Sequence, residues 1–562
     1  MAVNLSPVGG VAAQFFDNNG VILSGGKLYT YAAGTTTPQA TYTSSSGATA
    51  HANPIILDSA GRVPGGEIWL TVGLTYKFVV NTSANVLIGT YDNVSSQVNT
   101  DASLVTYTPA GTGAVTTTVQ AKLRQYVSVK DFGAVGNGST NDTAAIQAAI
   151  DAVNSAGGGE VNIPAGSYLS GALTLKDKVS ITGVGLASKF VAVSGAYNFF
   201  TGTSLTNIKL SDFYVDLTAQ TSAYNGMYIT GIQDSEISGV TIYNAAGFGW
   251  LIFTSVRCRY LRNTINTTRQ WDGMTITTGS IDNVIEGNSV FNSYDSGIGF
   301  TNTLGTVCVG NYVKRQKVGG VWYAPGIDAA GAKNAVITGN YVIGNKFGIS
   351  LLQHPNSGGQ CKRVTVTGNT IADGEYGINC GPVTVISPAT NENVPRDNIV
   401  ISGNTIFSQD VAGIAFVGAA SGPNTINNTI SSNIIGYCVT GISLNLTSST
   451  SVLSNQLHNN TTGLNSFSST NINLSLAFNV FENNGTNWTG AAGTGTTYIL
   501  HNKNLAYPNG TFNHEAFASN WDFGGKLQLG GYYLWVDSSG RLRIKNGAPT
   551  SDTDGTIVGT QT

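Results

Sequence analysis

Val364-Thr365-Val366-Thr367-Gly368-Asn369-Thr370-Ile371 is the stretch that decides the fold. β-Branched and polar residues alternate up to a Gly-Asn pair, and an apolar residue follows two positions after the Asn. Such alternation is a strand signal and not a helix signal. The pair returns at Gly287-Asn288, Gly310-Asn311, Gly339-Asn340 and Gly403-Asn404, with weaker copies at Asn263, Asn433, Asn455 and Asn479. Successive Asn residues lie 25, 23, 29, 29, 35, 29, 22 and 24 positions apart. A repeat of that length marks a solenoid, because each unit buries its apolar face only by stacking on its neighbours. Apolar residues keep register around each Asn. Val290, Val313, Val342, Ile371 and Ile406 come two after it, and Ile285, Cys308, Ile337, Val366 and Ile401 three before it. Gly and Asn tolerate the left-handed backbone of a sharp turn between short strands. Asn side chains on successive coils can also hydrogen-bond along the ladder. The expected fold is all-β: a right-handed, single-stranded parallel β-helix from about residue 127 to about 485, with coils ~4.8 Å apart.

A second register follows each Gly-Asn turn. It reads Gly273-Met274-Thr275-Ile276, Gly297-Ile298-Gly299-Phe300, Gly326-Ile327-Asp328-Ala329, Gly348-Ile349-Ser350-Leu351, Gly377-Ile378-Asn379-Cys380 and Gly413-Ile414-Ala415-Phe416. The residue between the two apolar positions should point outward. Thr275, Gly299, Asp328, Ser350, Asn379 and Ala415 are therefore expected to form one outward column. Asp328 is its only acid, with Gly299 below and Ser350 above leaving space around it.

Composition narrows the function classes. The chain has 562 residues, of which only 10% are charged and 71 are Gly. Low charge with abundant Gly would suit disorder, but 41% apolar residues in strict register point to an ordered solenoid. A net charge of −3 gives no sign of a nucleic-acid or membrane partner. No apolar run approaches a membrane span. The start, Met1 to Ser6, lacks the charged and apolar regions of a signal peptide. The expectation is a protein made in a cytoplasm that leaves by a route other than secretion. The five Cys are odd in number and include no CxxC, so buried free thiols are expected. The five His show no metal-ligand spacing. No metal and no cofactor is expected.

Residues 1–95 read as a compact antiparallel β domain, with strands around 27–31, 54–57 and 69–72. Residues 96–126, rich in Thr, Ala and Gly, read as a linker. Asp142 to Asn154 reads as a helix with Ile146, Ala149, Ile150 and Val153 on one face. It should cover the open end of the solenoid, as exposed ends require. Residues 486–562 form a separate C-terminal β unit, in which Arg541 to Lys545 is expected to be an edge or interface strand.

Three segments resemble the opening coil of the pectate-lyase-like β-helix superfamily: Val129 to Gly138, Asn141-Asp142-Thr143, and Gly157 to Tyr168. Gly26-Lys27-Leu28-Tyr29, Pro54 to Gly61 and Gly66-Glu67-Ile68-Trp69 are similar to the head-binding domain of tailspikes from short-tailed bacteriophages. Together the resemblances imply a phage tailspike with capsular or O-antigen depolymerase activity. They imply a protein made in the host bacterial cytoplasm, carried in the virion tail and acting at the bacterial cell surface. The partners so implied are the bacterial surface polysaccharide, phage tail proteins through the N-terminal domain, and two further copies in a homotrimer held by the C-terminal unit. Such motifs mark fold more than chemistry.

A depolymerase needs carboxylates for acid and base work and flat aromatics on which sugars stack. Asp328 is the first catalytic candidate. Asp295, one rung before it, and Glu375, two rungs after it, both precede their turn Gly by two residues. Asp272, after Trp271, lies two rungs before Asp328. Longer inserts at 314–323, 354–362 and 383–397 should wall a groove on one side. Trp322 and Tyr323 read as a sugar platform or a packing cluster, with Trp271 and Tyr376 as further aromatics. Arg315, Lys317 and Lys346 would hold an acidic sugar or solubilise their loop, and His354 would be a base near neutral pH. Hydrolysis is the expected reaction. A lyase using His354 with Arg315 or Lys317, and a spike that only grips its glycan, are the alternatives. No Ser/His/Asp arrangement points to an esterase.

Overall fold

A computed structural model describes residues 2–96, 101–317, 320–321, 323–352, 361–381, 396–417, 425–445, 447–466, 474–490, 498–500, 502–503, 527–529, 532–547, 549–551 and 553–558. The chain divides into two compact units, 1–126 and 127–562. In the first, strands 55–56, 27–32, 75–81 and 87–95 form one antiparallel sheet in that order, and 3–5 pairs with 69–71. Leu28, Ile55, Leu70, Tyr76 and Phe78 are its core. The stretch read as linker carries a small hairpin, 106–107 with 117–118, and the short helix Val119–Leu123.

The second unit is a parallel β-solenoid of about 12 turns. Its helix, Thr143–Ser155, turns Ile146, Ala149, Ile150 and Val153 into the same core as Val161, Leu173 and Val179 of the first coils. All five cysteines are free and buried. The Gly residues of the Gly-Asn pairs at 287, 310, 339, 368 and 403 all have φ of +63°, the left-handed turn expected of them.

Two ladders run through the stack. Asn263, Asn288, Asn311, Asn340, Asn369, Asn404, Asn433, Asn455, Asn479 and Asn502 are all buried. From Asn263 to Asn479, each donates its Nδ2 to the Oδ1 of the next at 2.8–3.0 Å. That same Oδ1 also accepts the backbone N–H of the preceding Asn, as with Asn311 N to Asn340 Oδ1 at 2.9 Å. The last rung explains a difference from expectation. Parallel pairing continues past 485 to Leu500, and Lys503 bridges Val480. Asn502 has no Gly before it, yet it accepts from Asn479 as its predecessors do.

The second ladder is glycine. A Cβ on Gly273, Gly297, Gly326, Gly348 or Gly377 would sit 2.5–2.9 Å from the carbonyl oxygen of the next glycine up. At Gly326 it would also lie 2.3 Å from Val342 Cγ1. Gly326→Ala is therefore expected to destabilise the solenoid by about 1–3 kcal/mol, the usual cost of overpacking. An unchanged melting temperature for that variant would contradict the contact.

At the C-terminal end, strands 527–529, 532–536, 542–546 and 556–557 form an antiparallel sheet in that order. Strand 542–546 is paired on both sides, so the expectation of an edge strand is corrected. Its basic residues are engaged internally: the Arg543 side chain is bound to Asp537 at 2.5 Å, and Lys545 pairs with Asp554.

Candidate active site

Strand register places the column as the alternation requires. Thr275 pairs with Gly299, Gly299 with Asp328, Asp328 with Ser350, Ser350 with Asn379, and Asn379 with Ala415. The column is nevertheless covered. Strands 274–277, 298–301 and 347–350 are buried at every position. A period of two exposes alternate residues only where one face of a sheet meets water, and here neither does. Asp328 is the partial exception, half-buried in a row of enclosed neighbours.

Three aspartates converge on this column from successive coils. Asp328 has its Oδ1 buried with no hydrogen-bond partner. Burial pushes its carboxyl up to about 7, and the charge of Asp295 adds to the shift. Asp272 turns toward the column. Its Oδ2 accepts from Thr275 Oγ1 at 2.6 Å and its Oδ1 from Ser296 N at 2.9 Å. Burial raises its pKa, and the charges of Asp295 and Asp328 raise it further. A Cβ at position 299 would lie 3.4 Å from Asp272 Oδ2, so Gly299 leaves the space into which that carboxyl leans. Asp295 is also raised by burial, but the guanidinium of Arg315 pulls it back down. Three carboxyls in mutual contact of charge cannot all ionise together near neutral pH. Two are held toward the acid form and the one beside Arg315 is favoured as the anion.

Glu375 is not part of this group. It lies at a register shift between Gly374 and Tyr376, and its charge acts on Tyr376 instead of on the aspartates. Arg315 is only 8% exposed. Its guanidinium donates to the carbonyls of Tyr294 and Asp295 and lies 5.4 Å from the centre of the Tyr323 ring. It is built into the wall of the site. Lys317 pairs with Asp410 at 3.1 Å. The Lys346 ammonium lies 5.8 Å from the Phe347 ring, and Lys346 N donates to Tyr323 O at 2.7 Å. Tyr376 packs on Phe347 at 5.4 Å. Trp271, 45% exposed, stacks on Phe248 at 5.9 Å with planes 16° apart. Trp322 and His354 lie outside the described residues, as do 318–319, 354–360 and 383–395 of the expected groove-walling inserts. Among the described residues no His, Cys, Asp and Glu group could hold a metal ion, and no helix is long and apolar enough to cross a membrane.

A family model described as capsule depolymerase matches residues 187–560, a span that contains all three aspartates. The chain belongs to the capsule depolymerase family. A mannuronan C5-epimerase of Azotobacter vinelandii is 51% identical over 72 residues, which are 11% of this chain and 4% of that protein. The tail spike protein of Shigella phage Sf6 is 43% identical over 88 residues, 15% of this chain and 14% of that one. The chain thus spans only a small part of the curated relatives it matches. A solved tailspike protein mutant of E. coli bacteriophage HK620 aligns with a TM-score of 0.47 and 15% identity, covering 68% of this chain and 71% of that one.

Two residues of this candidate site in the capsule depolymerase chain escape a reading by motif. Thr275 and Ser296 hold Asp272 in place, the first by its hydroxyl and the second by its backbone N–H. Thr275 had a visible signal, since it stands in the column three residues after the acid. Ser296 had none, because its contact is made by main chain from the next coil.

Proposed function

We propose that the chain is a tailspike that cuts a bacterial surface polysaccharide within its length, by hydrolysis at Asp272, Asp295 and Asp328. The observation that carries this is the charge-coupled aspartate group in a solenoid otherwise poor in charge. Asp328, held protonated by burial, gives its proton to the glycosidic oxygen of the leaving sugar. Asp295, favoured as the anion by Arg315, acts on the anomeric carbon, directly or through the water whose oxygen ends there. One coil separates Asp295 from Asp328, ~4.8 Å, which suits a retaining pair at about 5 Å. Two coils separate Asp272 from Asp328, ~10 Å along the backbone, which suits an inverting pair in which Asp272 gives up its proton to serve as the base. The anomeric configuration of the released end discriminates between the pairings.

Elimination would need a free cation to neutralise a uronate carboxylate. The engagement of Arg315 with the Tyr294 and Asp295 carbonyls weighs against that role. Residues 1–95 would join the spike to phage tail proteins, and the unit after the solenoid, with the antiparallel sheet of 527–557, would hold three chains together. Light scattering on the intact protein should report three chains, and a monomer would contradict the assembly.

The test of activity is digestion of purified capsular and O-antigen polysaccharides. The expected result is a fall in polymer mass with new reducing ends for one of them. A bound polysaccharide that never shortens would overturn the enzyme and leave a gripping spike. Release of acetate without shortening would make it an esterase.

A further inference from the structure

Five consecutive coils each carry an aromatic residue in the turn one to three positions before the stacked glycine: Tyr224, Phe248, Trp271, Tyr294 and Tyr323 precede Gly226, Gly249, Gly273, Gly297 and Gly326. The glycines are in direct contact from coil to coil, with a Cβ on each of the first four falling 2.3–2.7 Å from the next one's carbonyl oxygen. The aromatic residues therefore climb one edge of the solenoid in unbroken order. Tyr224, Trp271, Tyr294 and Tyr323 are 39–56% exposed, a large apolar outlay on one surface. They are also tied to one another. Tyr224 O accepts Gly247 N–H at 2.7 Å. Phe248 stacks on Trp271 nearly parallel. Thr268 Oγ1 donates to Trp271 O and accepts from Tyr294 N. Arg315 joins Tyr294 O to the face of Tyr323. On the next three coils Lys346, Glu375 and Asp410 stand before the glycine, and the aromatics there turn inward or pair with each other, Phe347 being buried and Tyr376 packed on it at 5.4 Å.

We propose that this edge is the floor of the glycan track, and that it sets the direction in which the polysaccharide lies. Four steps of ~4.8 Å make a platform roughly 19 Å long, enough for several pyranose units laid parallel to the solenoid axis. Amphipathic rings of this kind offer flat apolar faces to the C–H faces of sugars while leaving hydroxyls in water. Asp272 and Asp295 are sequence neighbours of Trp271 and Tyr294, so the track passes beside the carboxyls. It extends past them by two coils, at Phe248 and Tyr224, toward the N-terminal end of the solenoid. The polysaccharide is gripped mainly on that side, and charged groups receive it on the other. Phe248 and Tyr224 are sugar-binding residues on this account. The inference rests on the polysaccharide reading above, but it is a claim about binding and not about cleavage.

The experiment measures retention of purified capsular and O-antigen polysaccharides by the full-length Asp328→Asn chain, and by the same chain carrying Phe248→Leu or Trp271→Leu. Leucine keeps apolar bulk and removes the flat face. The expected result is about tenfold weaker retention for each ring variant, with melting temperatures close to that of Asp328→Asn. Tyr341→Leu, an exposed tyrosine of the strand 341–343 ladder, should bind as Asp328→Asn does. The same pattern with a wild-type chain that cuts nothing would support the track while removing the hydrolase. Retention unaffected by Phe248→Leu and Trp271→Leu would overturn the track even if the wild-type chain degrades its polysaccharide. Failure of the Asp328→Asn chain to hold any polysaccharide would overturn it as well.

Discussion

Asp328→Asn is expected to lower the rate of depolymerisation by about a hundred- to ten-thousand-fold, the range for loss of a general acid or base. The same change should leave the fold intact and make it more resistant to alkaline conditions. Asp328 is held between Gly299 and Ser350 in a covered column, with Oδ1 unpartnered. Burial raises its pKa from 3.8 to about 7. A carboxyl raised in the folded state binds its proton more tightly there than in the unfolded chain. Its contribution to stability is complete below the unfolded value, declines as pH rises, and is lost above about 7. Asparagine has the same shape and cannot ionise. The melting temperature of the variant minus that of the wild type should therefore grow between about pH 4 and about pH 7 and level off above. Retained activity in Asp328→Asn would take this residue out of the mechanism. A temperature difference that does not change with pH would contradict the burial of an ionising group at 328.

Asn340→Ala is expected to be among the most damaging single changes in the scaffold, costing about 2–5 kcal/mol. Asn340 lies in the middle of the amide ladder and is buried. Its Oδ1 accepts from both the N and the Nδ2 of Asn311, each at 2.9 Å. Its Nδ2 donates to Cys308 O at 3.0 Å and to Asn369 Oδ1 at 2.9 Å. Alanine deprives two buried donors of their acceptor at once. Each unsatisfied buried group costs more than the net worth of the bond it made. Asn340→Asp should be no milder, since it keeps the acceptor but loses the donor and buries a charge. Thermal unfolding of the intact protein reads the effect, with the unfolding rate substituting for the midpoint if unfolding is irreversible. A midpoint unchanged in both variants would show that the ladder is incidental to stability.

The solenoid was legible because stacking imposes one strict spacing on many coils. The Gly-Asn turns, the inward apolar positions and the order Thr275, Gly299, Asp328, Ser350 all follow from that repetition. Covering of the column was not legible, because a strand's own alternation says nothing about what lies over its outer face. Arg315 shows the same limit. A basic residue in an insert reads as a surface cation, yet its guanidinium is enclosed by the Tyr294 and Asp295 carbonyls and the ring of Tyr323. Glu375 has the same place before its turn glycine as Asp295, but it stands two coils beyond Asp328 and its charge falls on Tyr376. Asn502 lacked the preceding glycine that made its predecessors visible. In each case a contact between coils, and not a local pattern, decided the outcome.

If the aspartates add water across a glycosidic bond, the new ends take their oxygen from solvent. Digestion of the susceptible polysaccharide in water enriched with heavy oxygen, followed by mass spectrometry of the fragments, reads that oxygen. Hydrolysis predicts one heavy oxygen at each newly formed reducing end and no unsaturated sugar. Fragments that end in an unsaturated uronate and carry no heavy oxygen would contradict the account and assign the site to elimination.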